Sequence, residues 1–333
     1  MSSTRTSPLG SAIAFILSAL FIVAAGWLFF NRQHVLDQFA VWGYAPTAEI
    51  EAINQRVGFT DKGEFLFYAT RPALETQEGF NKECPRQEAG SPILGCYTTN
   101  DRIFIYNLNN EQLDGMEEVT AAHEMLHAAW YRMSDEEREK ITTDLRAAYD
   151  KISDPELKER MGYYERTEPG EFANELHSIL GTEIASLGEP LDSYYAKFFD
   201  RSAVLALHDK YSSVYDALYS RADELYTQME TLASSIESRS STYDEAINAL
   251  SADIEAFNAK ADRNGFSSQS QFNSERAALL RRSNTLEAER EAINASIVTY
   301  NGYYAEYETL SQQIEVLNDS IDSFNQIDQG PSV

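Results

Sequence analysis

Two histidines and a glutamate share five consecutive residues, His123-Glu124-Met125-Leu126-His127, in a chain of 333 residues that holds only five histidines. On an α-helix, residues four apart lie on one face, so both imidazoles can grip one metal ion. Glu124 points to the side of that pair, where a carboxylate can hold and deprotonate a water instead of ligating the metal. The flanking Thr120-Ala121-Ala122 and Ala128-Ala129 carry no charge, so the motif belongs to a buried, apolar helix. Zinc-assisted hydrolysis is the chemistry these residue types offer at this spacing. Chance alone places such a motif in about one chain of this length per hundred, so its surroundings must decide.

A catalytic zinc keeps three protein ligands and one open position, whereas a structural zinc takes four. No cysteine lies near the motif to complete a structural site. A third ligand is offered downstream by Glu168-Pro169-Gly170-Glu171-Phe172-Ala173-Asn174-Glu175-Leu176-His177-Ser178. Pro169 and Gly170 read as a helix start, after which Glu171, Asn174, Glu175 and Ser178 share one face. Glu175 lies a full turn inside that helix and is the preferred ligand. Glu171 is the alternative, although its place near the positive end of the helix dipole also suits a capping role.

With both motifs in view, residues 95–185 resemble the gluzincin metallopeptidases, the thermolysin-like group. The resemblance rests on His123-Glu124-x-x-His127 and, less specifically, on Asn174-Glu175-x-x-Ser178. It implies a zincin-like domain, one Zn2+ ion held by His123, His127 and Glu175, Glu124 as general base, and a peptide or protein substrate. The sequence departs from that pattern at Ile179, where the group carries an acidic residue. A transition-state stabiliser is also unassigned. His177, Tyr163 and Tyr164 are the candidates, with ordinary packing as the simpler explanation of each.

Several elements must position these residues. Cys96–Thr99 and Arg102–Tyr106, rich in β-branched and aromatic residues, read as strands. A polar turn region from Asn107 to Gly115 follows, then a helix over Met116–Trp130. Gly63–Thr70 reads as a further strand, ending before Arg71-Pro72 and able to pair with Ile103–Tyr106. Ser134-Asp135-Glu136-Glu137 caps a helix running to about Lys151, and Asp154-Pro155-Glu156 starts another. The domain, roughly 150 residues, is ample for one core. An exposed strand edge beside the metal helix would suit a protease, because it can bind an extended peptide by β-addition.

Location is addressed by residues 11–30, which are almost wholly apolar, with no charge between Arg5 and Arg32. Twenty helical residues span about 30 Å, the thickness of a bilayer core. Ala24-Ala25-Gly26 is followed by Trp27-Leu28-Phe29-Phe30, so the apolar run continues past the point where a cleavable signal peptide would end. An uncleaved, single-pass signal anchor is the reading, with the bulk of the chain extracytoplasmic. Cys84 and Cys96, the only cysteines, read as one disulfide closing a Pro- and Gly-rich loop in an exported protein, or else as two free thiols. A net charge of −26 argues against nucleic acid as a partner, since phosphates would be repelled.

The last third differs in pattern. Leu225, Met229, Leu232 and Ile236, then Tyr243, Ile247, Leu250, Ile254, Phe257 and Ala261, keep the spacing of a coiled-coil seam with one break at Arg239. A second series runs Phe272, Leu279, Leu286, Ile293, Ile297, Tyr300, Tyr304 and Tyr307, then Leu310, Ile314, Leu317, Ile321 and Phe324. Two helices of about 50 residues should fold back into an antiparallel hairpin about 75 Å long. The expected fold class is therefore α+β, mainly α. Its parts are a tail over 1–10, the transmembrane helix over 11–30, the metallopeptidase domain over 31–199, the hairpin over 200–327 with its turn near 263–271, and a tail over 328–333. The hairpin would recruit a protein partner or space the enzyme from its substrate. Two other classes of function compete: a coiled-coil scaffold with an inactive zincin-like domain, and a zinc amidase acting on a non-protein amide.

Overall fold

The computed structural model describes residues 8–85 and 93–323. It is mainly helical with one small sheet. Of the tail expected over 1–10, residues 8–10 begin a helix; residues 1–7, the tail over 328–333 and the seam residue Phe324 lie outside the described residues. The chain forms two compact units. One comprises the described residues up to Ser213 together with Asn318 to Ser323; the other is Val214–Leu317.

In the first unit the apolar stretch forms α1 (Pro8–Phe30), followed after Asn31 by α2 (Arg32–Gly43). Among the described residues no single helix is long and apolar enough to cross a membrane. Phe15–Phe30 and Arg32–Gly43 meet that test only as a pair, bent by 77°. Next come α3 (Ala48–Val57) and α4 (Asp61–Ala69). The strand expected over Gly63–Thr70 is therefore a helix. Its aromatic run suggested a strand, but Thr60 caps a helix start, its hydroxyl accepting from the Gly63 N–H at 3.2 Å. Asp61 and Glu64 then favour the first turn.

The strand that joins the sheet is instead β1 (Ala73–Glu75). It is followed by α5 (Gln77–Glu83), β2 (Gly95–Tyr97) and β3 (Ile103–Tyr106). The strand order is β1-β3-β2. β1 runs parallel to β3 with Leu74 opposite Ile105, and β2 runs antiparallel with Cys96 opposite Phe104. Cys84, at the end of α5, forms a disulfide with Cys96. The bridge ties the edge strand β2 to the rest of the domain.

At the centre is α6 (Met116–Tyr131), enclosed by α3, α4, α9 (Phe172–Glu183), β2 and β3. Its alanines at 121, 122 and 129 let these neighbours approach, and Met125 and Leu126 fill the core with Ile50, Ile53, Phe67, Ile103 and Leu176. Where α9 crosses α6, a Cβ on Gly181 would stand 2.6 Å from Leu126 Cδ1 and from Tyr195, so only glycine permits this crossing. α7 (Asp135–Tyr149) opens with a Ser134–Glu137 capping box, and α8 (Pro155–Thr167) with Asp154 as its cap. A short α10 (Leu191–Tyr195) leads to α11 (Arg201–Asp262) and α12 (Gln269–Ile321).

The first turns of α11 belong to the first unit, where Val204 joins the main core. Ser323 is held there too, its carbonyl accepting from Gln77 Nε2 at 2.6 Å and Asn81 Nδ2 at 2.8 Å. The second unit is the helical hairpin itself. Cross-helix pairs Arg221–Glu306, at 2.8 Å, and Lys260–Glu275, also at 2.8 Å, run antiparallel. The break in the seam at Arg239 is filled by an ion pair to Glu289 at 2.7 Å. Ile254, Ile297 and Tyr304 are exposed, while Ser296 and Tyr303 are half-buried. The seam therefore keeps regular spacing through Ile293, Ser296, Tyr300, Tyr303 and Tyr307, including a polar residue that a search for apolar residues passes over. At the tip, Asn264 adopts a left-handed φ of 56°. The Gly265 N–H reaches the Lys260 carbonyl at 2.9 Å, and Asn264 reaches Ala261 at 2.9 Å. This pattern satisfies the last carbonyls of α11. Phe257, Phe266 and Phe272 close the tip as an aromatic cluster.

Candidate metal centre

His123 and His127 stand one turn apart on the buried α6, their rings edge to face with centroids 4.8 Å apart. The two Nε2 atoms are 3.1 Å apart. Glu175 reaches across from α9, placing Oε2 3.7 Å from His123 Nε2 and Oε1 3.6 Å from His127 Nε2. Donor atoms of all three residues lie within 4.8 Å of one another. Zinc bonds of about 2.0–2.1 Å in a tetrahedron separate ligand atoms by about 3.4 Å. The observed 3.1–3.7 Å separations bracket that value, so the three residues fit a shared zinc.

Glu171 takes no part in this cluster. It occupies the N-cap position of α9 without a side-chain cap bond, and its Oε2 instead accepts from Asn174 Nδ2 at 2.8 Å and from Tyr131 OH at 3.2 Å. With its amide nitrogen so engaged, Asn174 turns its Oδ1 to His127 Nδ1 at 2.9 Å. An amide oxygen accepts, so this contact suits a proton on His127 Nδ1 and leaves Nε2 as the nitrogen facing the cluster. Ser178 Oγ adds a contact to Nδ1 at 3.3 Å. Asn174 and Ser178 thus both support the His127 ring, while Ile179 lies in the core.

The electrostatics keep Glu175 ionised. Burial works to raise Glu175, but His127, His123 and the Arg160 guanidinium outweigh it and hold the carboxyl at about 2. Burial pulls the His123 imidazole down, yet Glu175 and Glu124 overcome it and raise it above its ordinary value. Glu124 itself is pushed up by burial, against the pull of both histidines and a hydrogen bond from the Tyr97 backbone. It is thus a carboxylate of raised basicity beside the cluster.

Strand β2 passes directly over Glu124. A Cβ on Gly95 would meet Thr120 Cγ2 at 2.5 Å and Glu124 Cγ at 2.8 Å, so this close approach requires glycine. Among the described residues the outer edge of β2 has no strand partner. In sequence Gly95 reads only as a loop residue between the cysteines.

His177 faces away from the cluster. It is fully buried, with Nε2 2.8 Å from Tyr194 OH and its ring against Trp130, and burial lowers it to about 3. Tyr163 and Tyr164 pack edge to face on α8. Tyr131, half exposed, has its hydroxyl bound to Glu171, which also holds Asn174, and its ring stacked on Tyr97 at 5.5 Å. Its position one helical turn beyond His127 is the signal by which it could have been found. Also unforeseen is the ion cluster at the end of α6. Arg132 binds Asp37 of α2 through Nη2 at 2.7 Å and Nε at 2.9 Å, and Asp101 through Nη2 at 2.8 Å. Asp101 in turn accepts from Tyr97 OH at 2.7 Å.

No protein-family model matches the chain, and no curated protein or solved structure shows significant similarity to it. The geometry alone carries the functional argument.

Proposed function

We propose that this protein is a membrane-anchored, zinc-dependent metallopeptidase of the gluzincin kind. The observation that carries the reading is the convergence of His123, His127 and Glu175 from two helices at zinc-ligand spacing, with Glu124 beside them under a free strand edge. A bound zinc supplies Lewis acidity for the scissile carbonyl and for the attacking water. Glu124 takes the water proton on its carboxylate and hands it to the leaving amine, a role suited by its raised pKa. Asn174 and Ser178 keep the His127 ring in place and fix its tautomer. The edge of β2 offers backbone groups to an extended peptide lying alongside.

Helix α1 serves as the anchor in this reading, with the rest of the chain on the extracytoplasmic side. The Cys84–Cys96 disulfide supports an oxidising compartment. The hairpin recruits a protein partner or spaces the enzyme from its substrate. Incubation of the full chain with a library of unstructured peptides tests the activity. Cleavage by the wild type and none by Glu124→Gln is expected. Equal cleavage by both would contradict the reading, and hydrolysis confined to non-peptide amides would replace the peptidase with an amidase.

A further inference from the structure

We propose that α2 is an interfacial helix, lying along the lipid–water boundary with Leu36, Phe39 and Trp42 inserted among headgroups and upper acyl chains. The inference rests on reading α1 as inserted in a bilayer.

The chain turns sharply where the apolar run ends. Asn31 separates the two helices, its side chain closing α1 by donating to the Trp27 carbonyl at 2.8 Å. The bend between them is 77°. A helix joined at that angle to one crossing a bilayer lies close to the membrane plane. Arg32, the first charged residue after the apolar stretch, stands exposed at this junction, where a basic side chain can reach headgroups.

The two faces of α2 are sharply divided. Leu36, Phe39 and Trp42 recur every three residues along one stripe and are 60%, 63% and 71% exposed. Phe39 and Trp42 stack edge to face at 5.5 Å. The opposite side is pinned to the protein through Asp37 and His34. Asp37, 3% exposed, receives Gln33 at 2.9 Å and two bonds from Arg132, while His34 packs on Phe65 of α4 at 5.4 Å. A soluble helix would have its polar face outward and its apolar face inward. Here the apolar stripe is outward and a carboxylate is buried, an arrangement that suits a helix between protein and lipid.

Lipid is the occupant because the stripe continues an apolar surface already present. Trp27, Phe29 and Phe30 at the end of α1 are exposed, and α2 takes up the same apolar, aromatic character within one turn of Asn31. Tryptophan and phenylalanine with a flanking arginine is the composition that membrane interfaces select. The consequence reaches the metal centre. Arg132 is the C-cap of α6 and also holds Asp101 in the β2–β3 turn. Helix α2 is thus tied both to α6, which carries the two histidines, and to the β2–β3 turn, which fixes the height of the histidine cluster above the bilayer.

The three tryptophans of the chain, Trp27, Trp42 and Trp130, make this testable. The full chain would be reconstituted into phosphatidylcholine vesicles carrying bromine at carbons 6 and 7 of the acyl chains, and quenching compared for wild type, Trp27→Phe and Trp42→Phe. Trp130 is buried in the core and serves as the unquenched reference. Trp42 is exposed, so its replacement leaves the fold intact. The expected result is an about twofold loss of the quenched signal in Trp42→Phe, with a comparable loss in Trp27→Phe. Quenching lost in Trp27→Phe but unchanged in Trp42→Phe would overturn the interfacial helix and leave the anchor standing. No quenching in the wild type would overturn both.

Discussion

The helix that carries the histidines and the helices of the hairpin are held by opposite means. α6 is enclosed by three helices and two strands drawn from positions 48 to 183 of the chain. Its neighbours meet it so closely that Gly95 and Gly181 leave no room for a single carbon. Within Val214–Leu317, by contrast, Ala222, Leu225, Met229, Leu250, Ile293 and Leu317 are the buried residues, strung along one seam. Ion pairs such as Arg239–Glu289 fill the gaps between them. A ring of contacts can fix ligand atoms to a few tenths of an ångström. A seam fixes a direction and leaves most of each helix surface free. The first arrangement suits chemistry, and the second suits a role in spacing or recruitment.

The sharpest way to separate the two regions is by activity. Glu124→Gln should lower peptide hydrolysis by about 10²–10⁴-fold while zinc content is unchanged. Deleting residues 225–327 is expected to alter localisation, partners or substrate choice. If it changed none of them, the role given to the hairpin would be wrong.

Stability offers a second contrast. Leu126→Ala, at a fully buried position against Gly181, should cost about 2–5 kcal/mol in urea unfolding. Ile254→Ala, on the exposed side of the hairpin, should cost less than about 1 kcal/mol. Equal costs would erase the distinction between a closed core and an open seam.

Finer effects test the supports of the site. Asn174→Ala should weaken zinc binding by about 10–100-fold by freeing the His127 ring, read by competition with a chelator. Unchanged affinity would show that Asn174 does not orient the imidazole. A further test concerns pH. Burial holds His177 at about 3 against 6.5 for the free side chain, so the unfolded chain binds the extra proton between these values. Stability should fall as pH is lowered through that window, with no contribution from this group above it. His177→Phe should show a shallower slope of stability against pH over the same range. An identical slope would assign the acid sensitivity to other groups.

Much of this arrangement is legible in the residues themselves. The spacing of His123 and His127, the caps at Ser134 and Asp154, and the seam of the hairpin are local patterns, and local patterns survive folding. Gly63–Thr70 misleads because a run of aromatics suits a strand and a buried helix face equally, and the deciding Thr60 cap lies outside it. The partition between Glu175 and Glu171 depends on how α9 crosses α6, which no local pattern contains. Gly95, Tyr131 and the Asp37–Arg132–Asp101 cluster are likewise long-range features. Their importance comes from what passes beside them, and in sequence they look ordinary.

The proposed function stands on one zinc ion held by His123, His127 and Glu175. Elemental analysis of the full chain, purified without chelators, tests it in wild type, Glu175→Ala and Glu171→Ala. About one zinc per chain is expected in the wild type and in Glu171→Ala, with loss of most of it in Glu175→Ala. A wild type free of zinc, or a Glu175→Ala variant that retains it fully, would rule out this ligand set.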